Sequence, residues 1–191
     1  MSKRKFLTID NSQNFTVKIF GKNIVTYFNH IIMEISRENF VCDCEHNEFI
    51  VKEMNEDVLE DMKISEFGNL QARILKNKYP DKFCGLALYL GNDICGYICG
   101  LRPMSREVQY QIKNCEFFVK YVFVYEEFRG KRIASKLFEE LFKKLEENSL
   151  TLAVRKNNIS AIRAYNCLGG ESVCEKKFLR VLKLNIPYHK V

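Results

Sequence analysis

Apolar and polar positions alternate with a period near two over residues 15–20 (FTVKIF), which predicts a strand ending at Gly21. Directly after it, Ile24, Tyr27, Phe28, Ile31 and Ile35 recur at helical spacing and predict an amphipathic helix over residues 22–36. A short strand is expected over residues 40–44. From Phe49 the rhythm changes. Residues 49–53 read as a strand, residues 56–62 as a helix opened by acidic groups, and residues 69–77 as a second helix that stops before Tyr79-Pro80. Residues 83–90 and 94–101 flank Gly91-Asn92-Asp93 and predict an antiparallel hairpin. Residues 115–125 (CEFFVKYVFVY) are dense in β-branched and aromatic side chains and predict a central strand.

Beyond a basic turn, Ile133, Leu137, Leu141 and Leu145 form one apolar stripe, widened by Ala134, Phe138 and Phe142. Glu139–Lys143 and Glu140–Lys144 are spaced as i,i+4 pairs on the opposite face. Residues 150–154 predict the next strand. A short helix follows, capped by Asn157 or Asn158 and closed by Gly169, and residues 172–175 and 178–186 predict two last strands. The pattern predicts a mixed α/β (α+β) domain with a largely antiparallel central sheet flanked by helices. The expected division is an N-terminal extension over 1–48, whose strand and helix announce no chemistry, and a domain over 49–191.

Composition narrows the picture only a little. At 47% hydrophobic and 28% charged, with 3 Pro and no Trp, the 191 residues have the make-up of a soluble domain with a sizeable core. The basic start Ser2-Lys3-Arg4-Lys5 is followed by no continuous apolar run, so no signal peptide and no membrane span are expected. The eight cysteines fall mostly in apolar segments (Cys84, Cys95, Cys99, Cys115) and read as small buried hydrophobes of a reducing, cytoplasmic protein. A net charge of +6 favours a polyanionic ligand but is too modest to imply nucleic acid. Lys113, Lys120 and the basic turn come with no recognition helix or aromatic-interleaved motif. Cys42-x-Cys44-x-His46 is tighter than zinc spacing and has no second ligand pair, so no metal is expected. His30 and His189 stand alone.

Chemistry concentrates in FRGKRIAS, residues 128–135. A strand delivering a Gly-containing turn to a helix start leaves the first helical N–H groups facing outward, where the helix dipole favours an anion. Taken alone, the turn reads equally as a solvated loop with surface cations. Arg129-Gly130-Lys131-Arg132-Ile133-Ala134 fits the pattern Arg/Gln-x-x-Gly-x-Gly/Ala at its first and last positions. Val154, Asn158, Ala161, Tyr165 and Gly169 then repeat a second spacing: strand Val, Asn four later, and Ala, Tyr and Gly three, seven and eleven after the Asn. Together these two stretches resemble the signatures of the GNAT superfamily of acyl-CoA N-acyltransferases. The resemblance follows element order over residues 49–185 and is specific over 119–170. Two positions depart from it: Arg132 stands where the central glycine is usual, and Gly170 where an aromatic usually follows the last glycine.

The resemblance implies an N-acetyltransferase moving the acetyl group of acetyl-CoA to a primary amine, on a small molecule or peptide, by direct attack in a ternary complex. It implies that Phe123, Val124, Arg129, Gly130, Lys131, Arg132, Ile133, Ala134, Ser135, Asn158, Ala161 and Tyr165 hold acetyl-CoA. Within that set the Val124 N–H supports the thioester carbonyl, Asn158 orients the cofactor arm and Tyr165 protonates the departing thiolate. Arg132 is compatible with the turn if its φ stays negative; it then either clamps a phosphate or crowds the pyrophosphate.

The family's strand carboxylate is missing, since Lys120 and Tyr121 occupy its positions. Glu116, of the same strand parity as Val124, is the candidate general base, with a water chain as the equal alternative. A non-catalytic module of the same fold, binding CoA or a protein, is the competing reading. Residues 102–114 are expected to form a loop over the acceptor side. Residues 1–48 are open between an extra layer, part of the acceptor site and a homodimer contact.

Overall fold

A computed structural model describes residues 17–20, 23–42, 48–62, 67–103 and 115–183. They form strands β1 (Val17–Phe20), β2 (Asn23–Ser36) and β3 (Phe49–Glu53), helices α1 (Glu56–Asp61) and α2 (Phe67–Lys78), then β4 (Phe83–Leu90), β5 (Asp93–Leu101) and β6 (Phe117–Val124). A 3-10 turn (Glu126–Phe128) leads to α3 (Ile133–Lys144), β7 (Ser149–Arg155), α4 (Ile159–Cys167) and β8 (Gly170–Lys183). The described strands make one sheet ordered β1-β2-β7-β6-β5-β4-β3, with β8 on the free edge of β2. Neighbours are antiparallel except β6 and β7, the pair joined through α3. The expected mixed, mainly antiparallel sheet is present.

Three local expectations are corrected. Residues 23–36 are a strand, not an amphipathic helix. The helical spacing of Ile24, Tyr27, Phe28, Ile31 and Ile35 is real, but the stretch is crowded with β-branched and aromatic residues. Its adjacent side chains Ile32 and Met33 are both buried, as a strand covered on two faces requires. What decides the matter is non-local: β2 pairs along one edge with β7 and along the other with β8. The two expected final strands are one continuous β8, whose register against β2 slips at Val173 (Ile32 opposite Cys174, Met33 opposite Ser172). Residues 40–42 have no regular structure, and the rest of the strand expected there lies outside the described residues.

The division expected after residue 48 cuts the chain between β2 and β3, while the sheet takes β2 in between β7 and β8.

The sheet separates two apolar layers. On one face Ile133, Leu137, Phe138, Leu141 and Phe142 of α3 bury the predicted stripe against Leu86, Ile98, Phe117, Leu150 and Leu152. On the other, Val58 and Leu59 of α1 and Ala72 of α2 pack on Ala87, Tyr89, Tyr97 and Cys99. The start of α1 is held by Asn55, whose side chain accepts the Val58 N–H at 2.9 Å. Burial pushes the Cys84 thiol up to about 11 and the Cys99 thiol to about 12, so both behave as inert apolar groups. No described helix is long and apolar enough to cross a membrane.

Candidate active site

Strand β6 is zipped to both neighbours at its start and to only one at its end. Its parallel ladder with β7 covers Phe117–Leu150, Phe118–Thr151 and Val119–Leu152, and stops there. β6 runs on for five residues beside β5, while β7 runs on through Arg155 held by His30 and Ile31 of β2. Past Val119 the sheet therefore opens into a fork between β6 and β7.

A bulge marks its apex. Cys99 faces Tyr121 and Gly100 faces Val119, which leaves Lys120 as an extra residue in β6. Bulges bend and twist the strand that carries them, here away from β7. Gly100 makes room for this one: a Cβ there would stand 2.3 Å from the Phe118 carbonyl oxygen.

The pairing with β5 says which backbone groups look into the fork. The Tyr125 N–H donates to the Cys95 oxygen at 3.0 Å and Val124 faces Gly96. Val124 is thus a non-hydrogen-bonded position, and so is Val122 two residues earlier. Both turn their N–H and C=O away from β5, toward the gap. Phe123, between them, is in the opposite phase. Its backbone belongs to the β5 ladder and its ring stacks on Tyr97 at 5.5 Å, so the structure does not bring it to the fork. Val122 is the position the sequence reading missed; period-two alternation from Val124 would have found it.

The mouth of the fork is the basic turn. Arg129 donates from Nε to the Val124 oxygen at 3.3 Å, and the Lys131 ammonium lies 5.4 Å from the Phe128 ring centre. Gly130 has φ +78°, and Arg132, the residue before α3, sits at φ 57° and ψ 20°. The negative φ that would make a side chain at 132 easy is not what the chain adopts. The turn keeps the left-handed geometry that suits glycine, and Arg132 bears a steric cost of about 1–2 kcal/mol for it. Ile133 anchors the helix in the core, Ala134 and Ser135 are half-buried in its first turn, and the three cations of the turn are exposed.

Helix α4 follows β7, the other arm of the fork. Asn158 caps it, its Oδ1 accepting the Ala161 N–H at 3.2 Å, so this side-chain oxygen is occupied locally. Ala161 and Tyr165 follow at spacings of three and four, on one face, against the layer that holds α3. The Tyr165 ring meets Phe138 of α3 edge-on at 5.8 Å, and burial pushes its phenol up to about 12. It is a proton donor through the whole physiological range. Gly170, where an aromatic was expected by resemblance, lies so close to α4 that a Cβ would stand 2.7 Å from the Tyr165 carbonyl oxygen.

Glu116 is elsewhere. It precedes β6 at the closed end, eight residues and about 26 Å of strand from Val124. Its Oε2 accepts the N–H groups of Asn148 and Ser149 at 2.6 and 2.9 Å, which ties down the start of β7. The structure assigns it a structural task and corrects its candidacy as base.

A splayed parallel pair with an anion-favouring helix start at its mouth is the arrangement that the two sequence signatures require. The family model for the GNAT acetyltransferases matches residues 40–169. The chain belongs to the GNAT acetyltransferase family. Among curated proteins none matches the sequence. Solved structures share the fold at low identity. One is a conserved protein of unknown function from Staphylococcus epidermidis, with TM-score 0.62, 10% identity, and 83% of this chain and 63% of that one covered. This chain thus spans under two thirds of that protein.

Another is a protein placed in the GNAT family from Novosphingobium aromaticivorans, with TM-score 0.59, 14% identity, and 90% and 74% covered. A third is a tandem GNAT protein of the clavulanic acid biosynthesis pathway, with TM-score 0.58, 9% identity, and 82% and 53% covered. The GNAT match ends before β8 and begins after β2, so the strand that closes this sheet between β7 and β8 lies outside it. Among the described residues no cluster of three His, Cys, Asp or Glu could hold a metal; Cys44 and His46, like residues 104–114, lie outside them.

Proposed function

We propose that the chain is an N-acetyltransferase that carries acetyl from acetyl-CoA to a primary amine on a small molecule or peptide. The observation that carries this reading is the fork: an unfilled strand edge with Val122 and Val124 directed into it, ending at a cationic turn and the start of α3. The residues fit the donor. The pyrophosphate belongs at the α3 N-terminus among Arg129, Lys131 and Arg132, where charge-assisted contacts contribute about 1.5–3 kcal/mol each. The pantetheine arm takes the place of the missing strand beside β6, pairing with Val124 and Val122.

The chemistry needs three things from this chain: a carbonyl polarised, a sulfur protonated and a neutral amine. Backbone N–H groups on the fork edge serve the first; a preorganised donor of this kind contributes about 2.7–4 kcal/mol at the transition state. The Tyr165 phenol serves the second, as a half-buried acid packed against α3. For the third, Glu116 is too far away, and the ammonium of the acceptor loses its proton through water. Asn158 holds the start of α4, and through it the placement of Tyr165.

Titration calorimetry with acetyl-CoA tests the reading directly, and no heat at high micromolar concentration overturns it. The strained Arg132 favours a second reading, a CoA-binding module without transfer. Binding with no acetyl transfer to a panel of amines, peptides and polyamines would select it.

A further inference from the structure

At the apex of the fork stands a residue for which the acyl-transfer reading has no use. Lys120 is the bulged residue of β6, one position beyond the last rung of the β6–β7 ladder. Its Nζ lies 4.8 Å from the ring centre of Phe118, a residue of that ladder, and the residue is half-buried beside the point where the ladder stops. An arm laid along β6 from the turn reaches Lys120 four residues past Val124, about 13 Å further in. An arm that pairs with Val124 and then Val122, as proposed above, carries its acyl end toward this amine.

We propose that Lys120 is an internal acyl acceptor, so that the chain modifies itself from a bound acyl-CoA. The proposal rests on the acyl-CoA reading above. The neutral Nζ attacks the thioester carbonyl carbon; a C–N bond forms and the C–S bond breaks with its electron pair on sulfur. The proton lost by nitrogen ends on that sulfur. The products are an amide at Lys120 and free CoA thiol, with no change of oxidation state. Burial lowers the Lys120 ammonium from its ordinary range, which raises the fraction of neutral amine at a given pH. Acylation also removes the charge that burial opposes.

The test incubates the whole chain with acetyl-CoA and maps acetyl-lysine by mass spectrometry. The expected result is acetyl on Lys120, appearing at a first-order rate independent of protein concentration, and absent from Lys120→Arg. Acetylation confined to exposed lysines such as Lys143 and Lys156, or a rate that scales with protein concentration, overturns the proposal. A second measurement needs no thioester: in lysine-labelled protein, the NMR signal lost in Lys120→Arg should titrate below the other lysines. Titration together with them also overturns it. Absence of acetyl-CoA binding by calorimetry removes the functional reading, and this proposal with it. Binding without Lys120 acetylation removes this proposal alone.

Discussion

The two ends of β6 are built from the same kind of sequence and do opposite things. At the closed end Phe118 and Val119 pair on both edges, and Glu116 pins the Asn148 and Ser149 N–H groups so that β7 starts in register. At the open end Val122 and Val124 are as β-prone as Val119, yet their fork-facing edge has no strand partner among the described residues. Between the ends lie one extra residue, Lys120, and one glycine across from it. Strand propensity and apolar content do not separate the open half of this strand from the closed half; the count of residues against β5 does. The carboxylate works where the ladder is closed, and the cations gather where it is open.

The contrast is broken most severely at Tyr165. Tyr165→Phe should lower turnover by about 100-fold or more while calorimetry finds acetyl-CoA affinity nearly unchanged. An unchanged rate would show that the sulfur takes its proton elsewhere. Because burial pushes this phenol up to about 12, the wild-type rate should show no alkaline loss from Tyr165 until pH approaches that value.

Next comes the bulge. Gly100→Ala places a Cβ 2.3 Å from the Phe118 oxygen and 2.5 Å from the Phe117 ring. It should destabilise the protein by about 1–3 kcal/mol in urea titrations and weaken acetyl-CoA binding by reshaping the fork. Retained affinity would uncouple the fork from the bulge.

Glu116→Gln addresses the closed end alone. Removing the charge from a carboxylate holding two backbone N–H groups should cost about 1 kcal/mol of stability and leave acetyl-CoA affinity as it was. A variant that lost turnover and kept its stability would return Glu116 to candidacy as base.

A smaller effect, of opposite sign, is expected at the mouth. Arg132→Gly relieves a left-handed residue of about 1–2 kcal/mol, against which the freer unfolded chain sets about 0.4–1 kcal/mol. A net gain of about 0.5 kcal/mol should appear in thermal melts, and Arg132→Ala should show no such gain.

The smallest effect lies on the exposed face of α3. Burial works to raise the Glu139 carboxyl, but Lys143 at 2.7 Å and Lys136 at 2.9 Å outweigh it and hold it down at about 2. A depressed carboxyl contributes stability that is full above its ordinary value of 4.5 and is lost as pH falls toward 2. Lys143→Met should shrink that acid loss by a few tenths of a kcal/mol, as expected for a surface helix pair. Lys144 does not take the i,i+4 partner its spacing suggested; it pairs with Glu53 of β3.

Local pattern determined a good deal. The strands at 49–53, 83–90 and 117–124, the stripe of α3, the Asn158 cap and the basic turn each follow from residues within a few positions of one another. The interactions that specify them are short in sequence. The order and spacing of the two signatures were legible for the same reason, and with them the family. Three matters were decided only by contacts between distant segments. Residues 23–36 carry both periods, and became a strand because β7 and β8 supply hydrogen bonds to both edges. Glu116 has the parity of Val124, but parity is no measure of distance along a strand, and two N–H groups over thirty residues away claimed it. Lys120 looked like a gap where a carboxylate was wanted; the mismatch against β5, set by Gly100, places it at the apex of the fork. A bulge is a difference in count between two strands, so neither strand's sequence records it alone.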